Sequence, residues 1–116
     1  MSEASEQIKV VQYCDLLNIP IFAIPNQRKC DPKTGAHLKR QGLKPGVPDL
    51  CIPRARSGYH ALYIEMKHGK GKLTLQQADW ISLLRAEGMC AYCCYGADDA
   101  IALIEKYMKG ELATYA

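Results

Sequence analysis

The chain has 116 residues, a mass of 12.9 kDa and a net charge of +3, with 48% hydrophobic and 23% charged residues. These values fit one globular domain over residues 1–116 and exclude collagen-like, coiled-coil and intrinsically disordered chains. No stretch approaches the ~20 apolar residues of a membrane span, and residues 1–20 lack the basic-then-apolar pattern of a signal peptide, so a cytoplasmic protein is expected.

In chain order, residues 2–17 place Ile8, Val10, Val11, Cys14, Leu16 and Leu17 at helical spacing. Ser2 or Ser5 is suited to cap that helix, with Glu3 and Glu6 favourable near the positive end of its dipole. Asn18 and Pro20 end it. The apolar run at 20–25 lies between prolines and reads as a strand. Residues 26–45 are polar and basic, with a short helix expected over 34–41 and Gly42 stopping it. A connection of that length is usually functional or mobile. Residues 47–53 read as a second strand, 54–58 as a turn, and 59–67 as a third strand. Thr74 is suited to cap a helix reaching Glu87, with Gly88 closing it. Residues 89–95 read as a fourth strand, and Asp98 opens a last helix through Met108. The order is α-β-β-β-α-β-α. The short 54–58 link allows antiparallel neighbours, and the helical crossover allows a parallel fourth strand. The expectation is an α/β fold with a mixed four-stranded sheet flanked by helices.

Charge divides the chain unevenly. Residues 26–72 hold eleven Lys/Arg against three Asp/Glu, a balance of +8, and the remainder carries −5. A basic middle in an otherwise acidic chain suits a polyanionic partner, although a solvated lysine-rich loop gives the same count. Cys14, Cys51, Cys90, Cys93 and Cys94 fall in apolar runs, where reduced thiols pack as small hydrophobes. Cys90 and Cys93 form a C-x-x-C, but His37, His60 and His68 are scattered singly, so zinc or redox chemistry is the weaker reading.

Chemistry concentrates in two pieces, Gly46-Val47-Pro48-Asp49 and Ile64-Glu65-Met66-Lys67. Glu65 and Lys67 share one face of a strand and Met66 takes the other. A hairpin brings Asp49 beside Glu65. Two facing carboxylates repel unless one is protonated or a cation lies between them. A hard cation such as Mg²⁺ or Mn²⁺ takes such oxygen ligands, and Lys67 adds fixed positive charge. Either piece alone reads as a turn cap or a solvent-facing pair. Leu50, Ile52, Leu62 and Ile64 instead suggest inner strands, where charges need a partner or a task.

Pro48-Asp49 … Glu65-Met66-Lys67 resembles the signature of the PD-(D/E)xK nuclease superfamily, whose restriction-endonuclease-like core has a similar α-β-β-β-α-β order. More narrowly, residues 42–50, 64–67 and 71–80, with Ala23-Ile24-Pro25-Asn26, resemble the VRR-NUC (virus-type replication-repair nuclease) domain in its stand-alone, phage-type form. The resemblance implies that Asp49, Glu65 and the Met66 main-chain carbonyl bind Mg²⁺ or Mn²⁺. It implies that Lys67 steadies the attacking water and the developing charge, and that Gln77, next to Gln76, is an accessory residue. A first-helix acid joins such sites; Glu3, with Gln7 one turn later, fits that pattern better than Glu6. Arg28, Lys29, Lys39, Arg40, Lys44, Lys70 and Lys72 would contact DNA phosphates. The implied function is a homodimeric Holliday-junction resolvase of phage or bacterial type, one site per chain giving paired cuts. A nicking or flap endonuclease and a non-catalytic nucleic-acid-binding module are the alternatives.

Overall fold

A computed structural model describes residues 2–25 and 31–113. The chain runs α1 (Glu3–Leu16), β1 (Phe22–Ala23), α2 (Pro32–Arg40), β2 (Leu50–Ile52), β3 (Leu62–Lys67), α3 (Leu75–Ala86), β4 (Cys90–Tyr95) and α4 (Ala97–Met108). The strands form one sheet in the order β1-β2-β3-β4. β1–β2 and β2–β3 are antiparallel and β3–β4 is parallel, the mixed sheet the connections allow. β2 and β3 are therefore the inner strands.

Local chemistry sets the element ends. Both candidate serines cap α1: the Ser2 hydroxyl accepts the Ser5 N–H, and the Ser5 hydroxyl accepts the Ser2 N–H. Asp31 caps α2 by accepting the Thr34 N–H at 2.8 Å, and Pro32 follows at its first position. Thr74 caps α3 as its sequence suggests. The last helix opens one residue earlier than expected, at Ala97 after Gly96 instead of at Asp98. Its first amide is satisfied from elsewhere in the fold: the Glu6 carboxylate of α1 accepts the Ala97 N–H at 3.1 Å. β1 is also shorter than the apolar run 20–25, with both residues exposed at the sheet edge.

Strand alternation sorts the sheet into two faces. Leu50, Ile52, Leu62, Ile64, Met66, Cys90 and Cys94 point to one face, where Val10 and Cys14 of α1 and Ala100, Ile104 and Tyr107 of α4 complete the main core. Ala91 points to the other face with Ile81 and Leu84 of α3, joined by half-buried Tyr63. Tyr59 belongs to the core: it stacks on Tyr107 with ring centroids 6.5 Å apart, and its hydroxyl donates to the Ala113 carbonyl. Cys90 and Cys93 fall on opposite faces, so they cannot grip one ion together. Among the described residues no helix is long and apolar enough to cross a membrane.

Candidate active site

The α3 side of the sheet carries the charged residues. β3 delivers Glu65 and Lys67 there, at positions that alternate with core-facing Ile64 and Met66. Leu50 pairs with Ile64 in the antiparallel register, so Asp49, one step before β2, stands opposite Glu65. The chain bends at Asp49, whose carbonyl still accepts the Ile24 N–H at 2.8 Å from the β1 side. The Asp49 side chain takes over as acceptor: its Oδ2 receives the Met66 N–H at 2.8 Å. Amide and carbonyl of one strand residue point to the same neighbouring strand. The Met66 carbonyl is therefore on the Asp49 side of β3.

The approach to Asp49 depends on Gly46. Its φ is +92°, and a Cβ there would come within 2.7 Å of the Gln76 main-chain carbon. Only a residue without a side chain lets the loop lie this close to the first turn of α3. That contact brings Asp49 and the start of α3 to one place.

The first turn of α3 then supplies Gln77. Its Oε1 accepts the Thr74 N–H at 2.9 Å in a capping box, which leaves the amide nitrogen aimed at the sheet. That nitrogen donates to Glu65 Oε2 at 3.4 Å, while Lys67 Nζ lies 3.9 Å from the same oxygen. Glu65 is 1% exposed, Lys67 6%, Gln77 7% and Asp49 9%. Gln76 is exposed, and of the two glutamines Gln77 is the one that reaches Glu65.

Charges buried to this degree are costly unless they are paired and hydrogen-bonded. Glu65 has both an amide donor and an ammonium, and Asp49 has a main-chain donor. The donor set is all oxygen, which fits a hard divalent cation. Among the described residues no group of three or more His, Cys, Asp or Glu side chains converges on one point. Two carboxylates and a main-chain carbonyl would leave the remaining positions to water and phosphate, the usual pattern for Mg²⁺.

The first helix places its acids differently from the register argument. Glu3 opens α1 and is half-buried. Glu6 is 7% exposed, and both its oxygens accept: one takes the Ala97 N–H and the other pairs with Lys9 Nζ at 2.9 Å. These partners hold its carboxyl below the ordinary range, with the Lys9 bond the largest cause. Gly96, beside Ala97, donates its N–H to the Lys67 carbonyl at 3.1 Å. Glu6 thus braces the end of β3 from the core face. The signal for it was the stripe Glu6, Val10, Cys14, spaced four apart on the buried side of α1.

Of the basic residues, Lys39, Arg40, Lys44, Lys70 and Lys72 are exposed. Lys39 and Arg40 lie in the last turn of α2, and Lys70 and Lys72 in the loop leaving β3. Arg28 and Lys29 lie outside the described residues.

Residues 6–98 match the VRR-NUC domain family. The chain belongs to that family. A solved structure described as a VRR_NUC domain protein is 33% identical, superposes with a TM-score of 0.81, and is matched over 95% of this chain and 90% of its own. No curated protein matches the chain. VRR-NUC membership identifies a nuclease of the PD-(D/E)xK type, with DNA as substrate.

Proposed function

We propose that this VRR-NUC chain is a divalent-metal-dependent, structure-selective endodeoxyribonuclease that resolves Holliday junctions as a homodimer. The observation that carries the reading is the buried Asp49–Glu65–Lys67 cluster, held by Met66 N–H on one side and Gln77 on the other. Asp49, Glu65 and the Met66 carbonyl would hold Mg²⁺ or Mn²⁺. Such an ion, when bound, lowers the pKa of a coordinated water and screens the scissile phosphate.

The chain's own residues do the rest. Gln77 orients the Glu65 carboxylate from a helix terminus whose cap fixes the amide. Lys67 presents its ammonium at the same carboxylate oxygen, where it can bind a phosphate oxygen and stabilise the charge that develops during in-line attack. The buried setting strengthens that interaction relative to water. Lys39, Arg40, Lys44, Lys70 and Lys72, with Arg28 and Lys29, would bind phosphates along the substrate, giving affinity that falls with salt.

Two cuts at a junction call for two sites, and the outer face of α1 suits a two-fold contact. Ile8 is 57% exposed and Leu16 83%, and Ala4, Gln7, Ile8, Val11 and Gln12 line a shallow, uncharged groove. This face is across the sheet from Asp49, so a dimer there leaves the site open.

The test is cleavage of a four-way junction, a 5′ flap and a plain duplex with Mg²⁺ or Mn²⁺, beside sedimentation of the wild type and of Ile8→Glu/Leu16→Glu. Paired symmetric cuts confined to the junction, by a dimer that the double variant splits, are expected. Equal cutting of all three substrates removes the junction claim. Binding without cutting favours the non-catalytic module. A monomer that still makes paired cuts refutes the dimer.

A further inference from the structure

Tyr95 ends β4 in parallel register with Lys67. Paired residues on neighbouring strands point to the same face, so Tyr95 stands on the face of Glu65 and Lys67. The alternation along β4 agrees, with Cys94 turned into the core and Ala91 toward α3. Cys93, two residues back on the same face, is the register partner of Glu65, so Tyr95 continues the row that faces Glu65 and Lys67. Its backbone is anchored: the Tyr95 N–H donates to Asp99 Oδ2 at 2.9 Å. Yet 47% of the residue is exposed. An aromatic side chain, anchored through its backbone and open to solvent, borders the place where the scissile phosphate would sit.

Neighbouring strands are about 4.8 Å apart, less than the reach from a phosphate to its own base. A base attached to the attacked phosphate, or to the next one, can thus cover the Tyr95 ring. In a continuous duplex both faces of every base are already stacked. A π-face is free only where a nucleotide is unpaired or splayed, as at a branch, flap or gap. Aromatic stacking of this kind tolerates any base, so it reads DNA structure and not sequence.

We propose that Tyr95 is a substrate-binding residue that stacks on an unpaired nucleotide beside the scissile phosphate and so selects DNA opened at that point. This rests on the nuclease reading of the Asp49–Glu65–Lys67 site and adds a specificity element to it. The ring is the functional part, and the hydroxyl is dispensable for stacking.

The experiment uses the whole chain in EDTA, where binding is seen without cutting. The probe is a 5′-flap DNA with 2-aminopurine at the unpaired nucleotide next to the branch, against a plain duplex of the same length. Wild type and Tyr95→Phe are expected to quench the probe alike. Tyr95→Leu should lose the quench and bind the flap about tenfold more weakly, while its duplex affinity stays within about twofold. Quenching by Tyr95→Leu equal to wild type overturns the proposal. So does an equal loss on flap and duplex, which is what a packing role gives, or a loss in Tyr95→Phe as large as in Tyr95→Leu. A wild type that quenches in EDTA but never cuts with Mg²⁺ or Mn²⁺ sinks the nuclease reading alone. A wild type that cuts, with Tyr95→Leu cutting the same substrate equally well, sinks the stacking alone.

Discussion

Gly46→Ala isolates the contact that brings Asp49 to α3. The new methyl would lie 2.7, 2.8 and 2.9 Å from the Gln76 carbonyl carbon, carbonyl oxygen and Cβ. Two of these atoms are helix backbone, which cannot swing aside as a side-chain tip does. Alanine at φ +92° adds conformational strain of about 1–2 kcal/mol. Relief of the overlap requires the loop or the helix start to move, adding roughly 1–2 kcal/mol as in an overpacked core. The total is about 3 kcal/mol. At ~3–6 °C per kcal/mol for a chain of this size, Tm should fall by about 9–18 °C. Gly69→Ala is the control, because φ there is +60° and nothing lies within 4 Å of the added carbon. It should lose only about 1 kcal/mol and ~3–6 °C. Thermal melts by circular dichroism read both. Below both transitions, Gly46→Ala should cut at least about tenfold more slowly than wild type, because the displaced loop carries Asp49 away from its place opposite Glu65. If the two variants melt together, the loop does not depend on close approach to α3, and this account of how Asp49 is positioned is wrong.

Asp49→Asn should raise Tm in EDTA by about 3–6 °C, since an amide oxygen still accepts the Met66 N–H while repulsion with Glu65 disappears. The same change should abolish the Tm rise that Mn²⁺ gives the wild type; an undiminished rise would place the ion elsewhere. Glu6 has a lowered pKa from Lys9 and the Ala97 N–H. Its contribution is therefore present above the ordinary glutamate pKa and lost as pH falls through the lower folded value. Denaturant melts should show the gap between wild type and Glu6→Gln closing from about pH 5 to 3; a gap that widens with acid contradicts the assignment. Burial pushes the Cys14 thiol up to about 11, with Asp15 adding to it, and the Cys94 thiol up to about 12, with Asp99 adding to it. Iodoacetamide at pH 8 should leave both unmodified in the folded protein by peptide mass spectrometry, and rapid native labelling of either would show an opening the fold does not explain.

Much of the architecture is legible because it rests on local rules. Ser2, Thr74 and Gly88 mark helix ends by cap chemistry, and the alternation of Leu62, Ile64 and Met66 with Tyr63, Glu65 and Lys67 marks the two faces of β3. The Asp49–Glu65 juxtaposition follows from the antiparallel register that a short link forces. What stays hidden depends on contacts between distant segments. Asp98 looks like the start of α4, yet the helix opens at Ala97, whose amide goes to Glu6, 91 residues away, and no local pattern announces that. Glu3 and Glu6 share the first turn of α1, and only the packing of α1 against α4 shows which is buried. Tyr95 reads as an ordinary strand residue until the parallel register sets it beside Lys67.

In the proposed reaction Asp49, Glu65 and Lys67 cut DNA with a divalent ion. The most direct measurement is single-turnover cleavage of a labelled four-way junction by wild type, Asp49→Asn and Lys67→Ala, each purified identically, in Mg²⁺, Mn²⁺ or EDTA. Cutting by the wild type with either ion, none in EDTA, and a loss of at least about a hundredfold in both variants while they remain folded are expected. Cutting that persists in EDTA, or in Asp49→Asn, would contradict that reaction.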